Sequence, residues 1–249
     1  MNICLFEKSE ISKPLSFDDA RGDHIIKILH KKQGESFTAG IIDGQSGTAV
    51  ITKIDEAARQ IFFEFSPTGD GKPLNPLKMI IGFPRPIQLR RLLRDVAALG
   101  VSELHLTGTE LGEKSYMESD LAKPQAAWEL LREGTVQAGS THVPKVFVHK
   151  SLKECLQSME LNGQILICLD NVNPACSLAQ AVVVEPVETT SSKSVIAAIG
   201  SERGWTDKER KLLEDAGFIR CGMGPRIMRT ETAATVAGAI ILNTMGVLK

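Results

Sequence analysis

The chain has 249 residues, with 29 lysines and arginines against 30 aspartates and glutamates and a formal net charge of −1. At 43% hydrophobic and 24% charged residues it has ordinary globular usage. This composition excludes wholesale disorder, and the near-neutral balance excludes a basic nucleic-acid coat, so any polyanion binding must come from a local patch. No run approaches the roughly 18 uncharged apolar residues of a spanning helix, so no membrane partner is expected. The opening MNICLFEKSEISKPL lacks the basic start and long apolar stretch of a secretory signal, and the expected location is cytoplasmic.

In chain order, the first third reads as short strands. SFTAGIID, GTAVITKID and QIFFEFSP are β-branched and aromatic runs. They are separated by Asp43-Gly44-Gln45-Ser46-Gly47 and by Glu56-Ala57-Ala58-Arg59, which predict hairpin turns and a small β-barrel. Residues 23–32 (DHIIKILHKK) read as one or two helical turns. SPTGDGKPLNPLK (66–78) concentrates Pro, Gly, Asp and Asn and marks a boundary, giving expected domains 1–72 and 73–249.

Beyond it the pattern changes to strands alternating with helices. KMIIGF is a buried strand, and PIQLRRLLRDVAALG is a helix running from Pro86 to Gly100. Its Leu89, Leu92, Leu93, Val96 and Leu99 share one face and leave Arg90, Arg91 and Arg94 on the other. VSELHLTG, KVFVH, QILICLD, VIAAIG and FIRCGMG follow as strands. Helices are expected around 125–138 and over SLKECLQSM, TDKERKLLEDAG and TETAATVAGAIILNTM. Such alternation predicts an α/β fold with a mainly parallel sheet covered on both faces. VVVEPVETTSSKS (182–194) reads as a surface insertion. Residues 76–153 carry 11 basic and 8 acidic side chains, while the flanking thirds are each net −2, so a polyanion would favour the middle segment.

Several sites are absent from the sequence. The five cysteines, Cys4, Cys155, Cys168, Cys176 and Cys221, are odd in number, scattered and without a C-x-x-C pair, so neither a disulfide framework nor a zinc site is expected. The run GMGPRI lacks the third glycine of a dinucleotide fingerprint, and the DGK at 70–72 has no Walker spacing. No metal is expected.

The chemistry-bearing residues lie in three loops, each after a predicted strand: Leu169–Pro174, Ile199–Trp205 and Met223–Ala233. Ligands of open α/β sheets collect at the carboxyl ends of strands. Gly200, Gly204, Gly222 and Gly224 allow tight turns and close approach of backbone to a ligand. Arg226, Arg229 and Glu231 fall within six residues where a strand gives way to a helix, an anion-recognising corner. Glu231 suits either a catalytic role or a structural one, complementing the helix dipole.

The tail IGSERGWTDKERKLLEDAGFIRCGMGPRIMRTETAATVAGAIIL closely resembles the RsmE-type ribosomal RNA methyltransferases of the SPOUT superfamily. Their pattern is I-G-P-E-G-G-[FW]-[ST]-x-x-E, then A-G-F, then L-G-x-R-I-L-R-x-E-T-A. Weaker similarity covers DHIIKILH (Asp23 to His30), LGVSE (Leu99 to Glu103) and QAGSTHVP (Gln137 to Pro144). The resemblance implies a PUA-like β-barrel followed by a SPOUT domain with a C-terminal trefoil knot. It also implies a homodimer that uses S-adenosylmethionine to methylate N3 of a uridine in small-subunit (16S) ribosomal RNA, free or in the assembled subunit.

By position it implies a cofactor site of Leu169, Ile199, Gly200, Glu202, Gly204, Met223, Gly224, Ile227 and Met228. Arg229, Glu231 and Arg226 are the implied catalytic residues, and His24, Lys27, His30, Arg85, Arg90, Lys114 and Gln137 the implied RNA contacts. Uridine N3 holds a proton and becomes nucleophilic only when that proton leaves, which calls for a base or for a cation beside the resulting anion.

Some positions depart from the pattern. Ser201 and Arg203 replace Pro and Gly of P-E-G-G, and Arg203 is expected to need a backbone conformation that glycine adopts more easily. Ser140 and His142 replace two arginines, Asp95 and Ala98 replace Lys and Glu, and His30 replaces an arginine. The cofactor end is thus kept better than the RNA end. The alternatives are a SPOUT enzyme acting on another RNA nucleotide or a ribose 2′-hydroxyl, and a non-catalytic RNA-binding relative. The intact run Arg226–Ala233 weighs against the last.

Overall fold

The computed structural model describes residues 2–182 and 194–248. The expected insertion at 182–194 therefore lies, apart from its two end residues, outside the described residues. The chain divides into two compact units. One comprises Met1–Pro73 with Thr135–Val143, the other Leu74–Gly134 with Pro144–Lys249.

The first unit holds β1 (Cys4–Phe6), β2 (Leu15–Ser16), α1 (Ala20–Asp23) running into a wide helical turn at His24–Ile28, β3 (Ser36–Ile41), β4 (Ser46–Asp55) and β5 (Gln60–Gly69). These strands form one sheet in the order β1-β3-β4-β5-β2, antiparallel except for the β1–β3 pair. Alternation along β4 buries Gly47, Ala49 and Ile51, the last two in one cluster with Phe6, Phe37 and Ile61. The two predicted hairpin turns are present, with Asp43 and Arg59 in the left-handed region at φ 53° and 55°. Residues 135–143 strap the first turn. Thr141 Oγ1 donates to the Gly44 carbonyl at 2.7 Å, and the Val143 amide donates to Asp43 Oδ1 at 3.0 Å.

In the second unit, β6 (Asn75–Gly82), α2 (Pro86–Ala98), β7 (Val101–Thr107), α3 (Lys114–Met117) and α4 (Pro124–Gln137, its last three residues counted with the first unit) are followed by β8 (Lys145–His149), α5 (Leu152–Ser158) and β9 (Ile165–Leu169). Then come β10 (Cys176–Ser177), α6 (Leu178–Val182), β11 (Val195–Ile199), α7 (Asp207–Asp215), β12 (Ile219–Gly222) and α8 (Thr230–Thr244). The seven strands form the expected parallel sheet, in the order β10-β12-β9-β11-β6-β7-β8. Sequence reading had not singled out the two-residue β10, the short α3 or α6, because such brief elements carry no periodic signal.

The period of two divides the core between the sheet's faces. Ile80, Cys168, Ile196 and Ala198 pack with Leu152 and Leu156 of α5, Leu213 of α7 and Trp205. On β6 the opposite parity, Leu77 and Met79, meets α8 at Gly238, where a Cβ would fall 3.0 Å from Met79 Cε. The arginine-bearing face of α2 is outward as expected, while Leu89, Leu92, Leu93 and Val96 are buried.

Helices α2 and α4 approach as closely as backbone allows. A Cβ on Gly134 would lie 2.3 Å from the Arg94 carbonyl oxygen. Gly134→Ala gains about 1 kcal/mol of helix propensity but forces two backbones apart, a strain of about 1–3 kcal/mol. Strain against backbone outweighs the gain, so the variant should melt below wild type in thermal denaturation.

On β7 and β8, His105 Nδ1 and His149 Nε2 share a hydrogen bond at 3.0 Å, and both rings are buried. Cys155 joins them, the three ligand atoms lying within 4.8 Å of one another, but the imidazole pair already occupies the facing nitrogens. Burial holds His105 down to about 4 and lowers His149, despite Glu103 beside the one and Glu154 near the other. Both are therefore neutral in the fold at pH 7. Between about pH 6.5 and 4 the unfolded chain binds a proton that folded His105 refuses, so this term lowers stability as pH falls through that window. At about 1.4 kcal/mol per pKa unit the loss is on the order of 2–3 kcal/mol. Denaturation of wild type and His105→Asn at pH 7 and 4.5 checks this, the variant losing less on acidification.

Candidate functional site

The carboxyl ends of β9, β11 and β12 open into one cleft of about 260 Å³. β11 lies between β9 and β6, every one of its five residues buried, and β12 is the next strand beyond β9. Three loops far apart in sequence thus emerge side by side. Their Leu169, Ile199, Gly200, Glu202, Gly204, Met223, Gly224, Ile227 and Met228 all line the cleft, so every expected cofactor-site residue is brought together there.

The middle loop turns as tightly as backbone permits. The Gly204 amide donates to the Ser201 carbonyl at 2.8 Å, and Gly204 has φ 73°. A Cβ on Gly200 would fall 2.9 Å from the Gly204 carbonyl carbon, and one on Gly82 2.4 Å from the Ser201 amide nitrogen. The left-handed conformation expected of Arg203 belongs instead to Gly204; Arg203 has an ordinary negative φ, so an arginine there costs no backbone strain. Ser201 Oγ is buried at this turn with no hydrogen-bond partner.

After the turn, Trp205 is a packing residue, 2% exposed, and α7 opens with a capping box. Glu209 Oε2 accepts from the Thr206 amide at 2.9 Å, and Thr206 Oγ1 accepts from the Glu209 amide at 3.2 Å. The other Glu209 oxygen accepts from the Glu110 amide at 2.9 Å, tying the helix start to the loop after β7.

Asp170 and Arg210 line the cleft as well, and sequence reading had missed both. Arg210 Nε donates to Asp170 Oδ2 at 2.6 Å, the Asp170 side chain being only 3% exposed, and Val172 N donates to Asp170 Oδ1 at 3.0 Å. The hydrogen bond it donates to Asp170 raises the arginine's already high pKa. One partner is a loop residue and the other sits on a charged helix 40 positions away, so no local pattern reveals the pair.

Of the three expected catalytic residues, only Arg226 lines the cleft. Arg229 is the N-cap of α8 and is exposed, making no side-chain capping bond. Glu231, in the first turn of α8, is 7% exposed and its Oε2 is buried without a partner, but neither it nor Arg229 is among the lining residues.

A second cavity, about 80 Å³, shares Ser201, Glu202 and Arg203 with the first and is completed by Phe83, Arg85, Leu111, Gly112, Glu113 and Tyr116. Two exposed ion pairs cross its rim, Arg85 Nε to Glu202 Oε2 at 3.1 Å and Arg203 Nη2 to Glu113 Oε1 at 3.2 Å. Exposed pairs of this kind are worth about 0–1 kcal/mol, so a competing anion displaces them readily. Arg90 and Lys114 are also exposed on this unit.

In the first unit, Lys27, His30 and Gln137 are exposed and His24 is half-buried with Nε2 lacking a partner. Lys27 pairs with Asp23 at 2.5 Å, and Ile28 beside it is 63% exposed. Among the described residues no helix is long and apolar enough to cross a membrane.

Comparison with known proteins gives the same picture. Residues 71–242 match the family model described as RNA methyltransferase domain. The chain is 43% identical to the ribosomal RNA small subunit methyltransferase E of Treponema pallidum, over 97% of this chain and 91% of that one. It is 31% identical to the ribosomal RNA small subunit methyltransferase E 1 of Borreliella burgdorferi, over 97% of each. Among solved structures, the ribosomal RNA small subunit methyltransferase E from Neisseria gonorrhoeae bound to S-adenosyl methionine has the same fold. Its TM-score is 0.76 at 22% identity, covering 98% of this chain and 97% of that chain.

The two carboxylates on Arg210 should differ sharply. Asp170→Asn removes the buried carboxylate from a mostly buried guanidinium, leaving it only the exposed Asp207, and should cost about 3 kcal/mol. Asp207→Asn removes the partner at 2.8 Å whose side chain is 99% exposed, and should cost about 0.5 kcal/mol or less. Urea denaturation of the two variants measures the contrast.

Proposed function

From the membership of this chain in the RNA methyltransferase family, alongside the ribosomal RNA small subunit methyltransferase E proteins, we propose that its cleft binds S-adenosylmethionine and that it methylates N3 of a uridine in small-subunit ribosomal RNA. The observation that carries the reading is the convergence of three loops on one cleft around a glycine turn, with the buried Ser201 Oγ left unpartnered at its wall. The donor set suits the cofactor. Leu169, Ile199 and Met228 offer apolar walls for an adenine, the backbone of the three loops its polar edge, and Glu202 an acceptor for ribose hydroxyls. When bound, S-adenosylmethionine supplies an electrophilic methyl on a sulfonium sulfur.

The chain's own work is to orient the acceptor and stabilise its charge. The second cavity abuts the first along Ser201–Arg203 and is the entrance assigned to the uracil, with Arg85 and Arg203 free to leave their glutamates for phosphate or carbonyl oxygens. Loss of the N3 proton spreads negative charge over N3, O2 and O4. Arg226, the one expected catalytic residue on the cleft, is the cation placed to stabilise that charge. Arg229 and Glu231, three and five positions further on, are assigned to positioning the loop and receiving the proton.

This reading includes a PUA-like role for the first unit, with His24, Lys27, His30 and Gln137 meeting RNA, and Arg85, Arg90 and Lys114 doing so on the second. It also includes a trefoil knot around the cleft, a homodimer and a cytoplasmic location.

The test is methyl transfer from labelled S-adenosylmethionine to small ribosomal subunits lacking the modification, read by nucleoside mass spectrometry. N3-methyluridine is the expected product; a ribose-methylated nucleoside or none would overturn the assignment. Arg226→Ala should lower kcat about 100-fold or more while calorimetric affinity for S-adenosylmethionine stays within about threefold.

A further inference from the structure

Cys176 and Cys221 face each other across β10 and β12 as register partners, with Sγ atoms 3.8 Å apart. Cys221 is buried and lines the main cleft. Of the five cysteines, Cys176 alone is not buried. We infer that these two side chains form a thiol modification site: a dithiol that a hydroperoxide closes to a disulfide, distorting the adjoining cleft.

The geometry is permissive where it has to be. Adjacent strands run about 4.8 Å apart, inside the Cα separation of roughly 4.4–6.8 Å that a disulfide accepts. The sulfurs must still close from 3.8 Å to about 2.05 Å. β10, with two residues at the edge of the sheet, yields more cheaply than a central strand and takes the larger share of that movement, while β12 is pulled toward it by the remainder. The preceding Asn173 is already in a left-handed turn at φ 47°.

The order of events follows from exposure. The Cys176 thiolate attacks the peroxide oxygen, the O–O bond breaks, and water or an alcohol leaves, giving a sulfenic acid. The Cys221 sulfur then attacks that sulfenic sulfur, releasing its proton and displacing the oxygen as water. In total, two thiols and one hydroperoxide give one disulfide, one water and one alcohol, or two waters from hydrogen peroxide. Burial and the contact with Cys176 push the Cys221 thiol up to about 12, which makes it the poorer initiator; its part in the second step rests on its sulfur lying 3.8 Å from that of Cys176.

Cys221 is joined to the first loop of the cleft. Its carbonyl accepts from the Asp170 amide at 3.0 Å, and Asp170 in turn holds Arg210 and Val172. A pull on Cys221 toward the sheet edge therefore moves the cleft wall and the base of that loop together. The consequence for ligand rests on the reading of the cleft as the S-adenosylmethionine site; the disulfide chemistry does not.

The experiment treats the full chain with equimolar hydrogen peroxide, alkylates remaining thiols and maps linked peptides by mass spectrometry before and after dithiothreitol. The expected result is a reversible Cys176–Cys221 link, together with at least tenfold weaker calorimetric binding of S-adenosylmethionine by the oxidised protein. Cys176→Ser should bind as the reduced wild type does and be indifferent to peroxide. A Cys176 oxidised to sulfinic acid with no link, a link between other cysteines, or a link that leaves affinity unchanged would each overturn the proposal. Failure of the reduced protein to bind S-adenosylmethionine would overturn the functional reading instead, and the peptide map alone would then decide whether the dithiol site exists.

Discussion

Everything at the cleft depends on how little room there is at the end of β11. That strand is buried along its whole length between β6 and β9, so the chain leaving it has to turn at once. Gly200 and the facing Gly82 are placed so that a single added carbon would strike backbone, and Gly204 is required for its left-handed φ of 73°. Backbone against backbone is the least forgiving kind of packing, because neither side has a rotamer to change. The tight turn keeps the amides and carbonyls of the loop at the cleft wall and carries Ser201 and Glu202 to both cavities.

Much of this was legible in the sequence, for identifiable reasons. The longer strands and helices announce themselves by pattern, VIAAI as an unbroken apolar run and α2 by its leucine face. The three loops were found because each follows such a strand and carries glycines or arginines. What stayed hidden was of another kind. The Asp170–Arg210 pair, the Cys176–Cys221 contact and the tie from Glu209 to residue 110 join positions 40, 45 and 99 apart, and none has a local signature. The division of labour between Arg226, on the cleft, and Arg229, at the helix cap, depends on which way a short loop turns. Arg203 shows the converse: its residue type suggested strain, while the strain was taken by the neighbouring Gly204.

The charges show how a near-neutral chain presents cationic groups locally. Arg94, Arg132 and Arg210 are matched to carboxylates on their own or facing elements. Arg85 and Arg203 are matched too, but through exposed pairs that bridge loops at a cavity rim. Among the first three, the largely buried Arg210–Asp170 pair fastens α7 to the loop after β9. The exposed pairs at the rim keep guanidinium groups near a ligand entrance at little energetic cost, ready to exchange one anion for another.

The strap at Thr135–Val143 bears on the making of the protein as well as on its final form. The hydrogen bonds from the strap to the first hairpin turn come from Thr141 and Val143, 68 and 70 positions beyond Pro73, after α2, β7 and α4 have been made. With synthesis at about 5–20 residues per second, the N-terminal sheet waits on the order of 3–14 seconds for its last contacts. During that wait its Asp43–Gly44 turn lacks the strap's partners. The unit that begins the chain is therefore not the first to be finished, and a polypeptide cut at the apparent domain boundary would end before its own fold was complete.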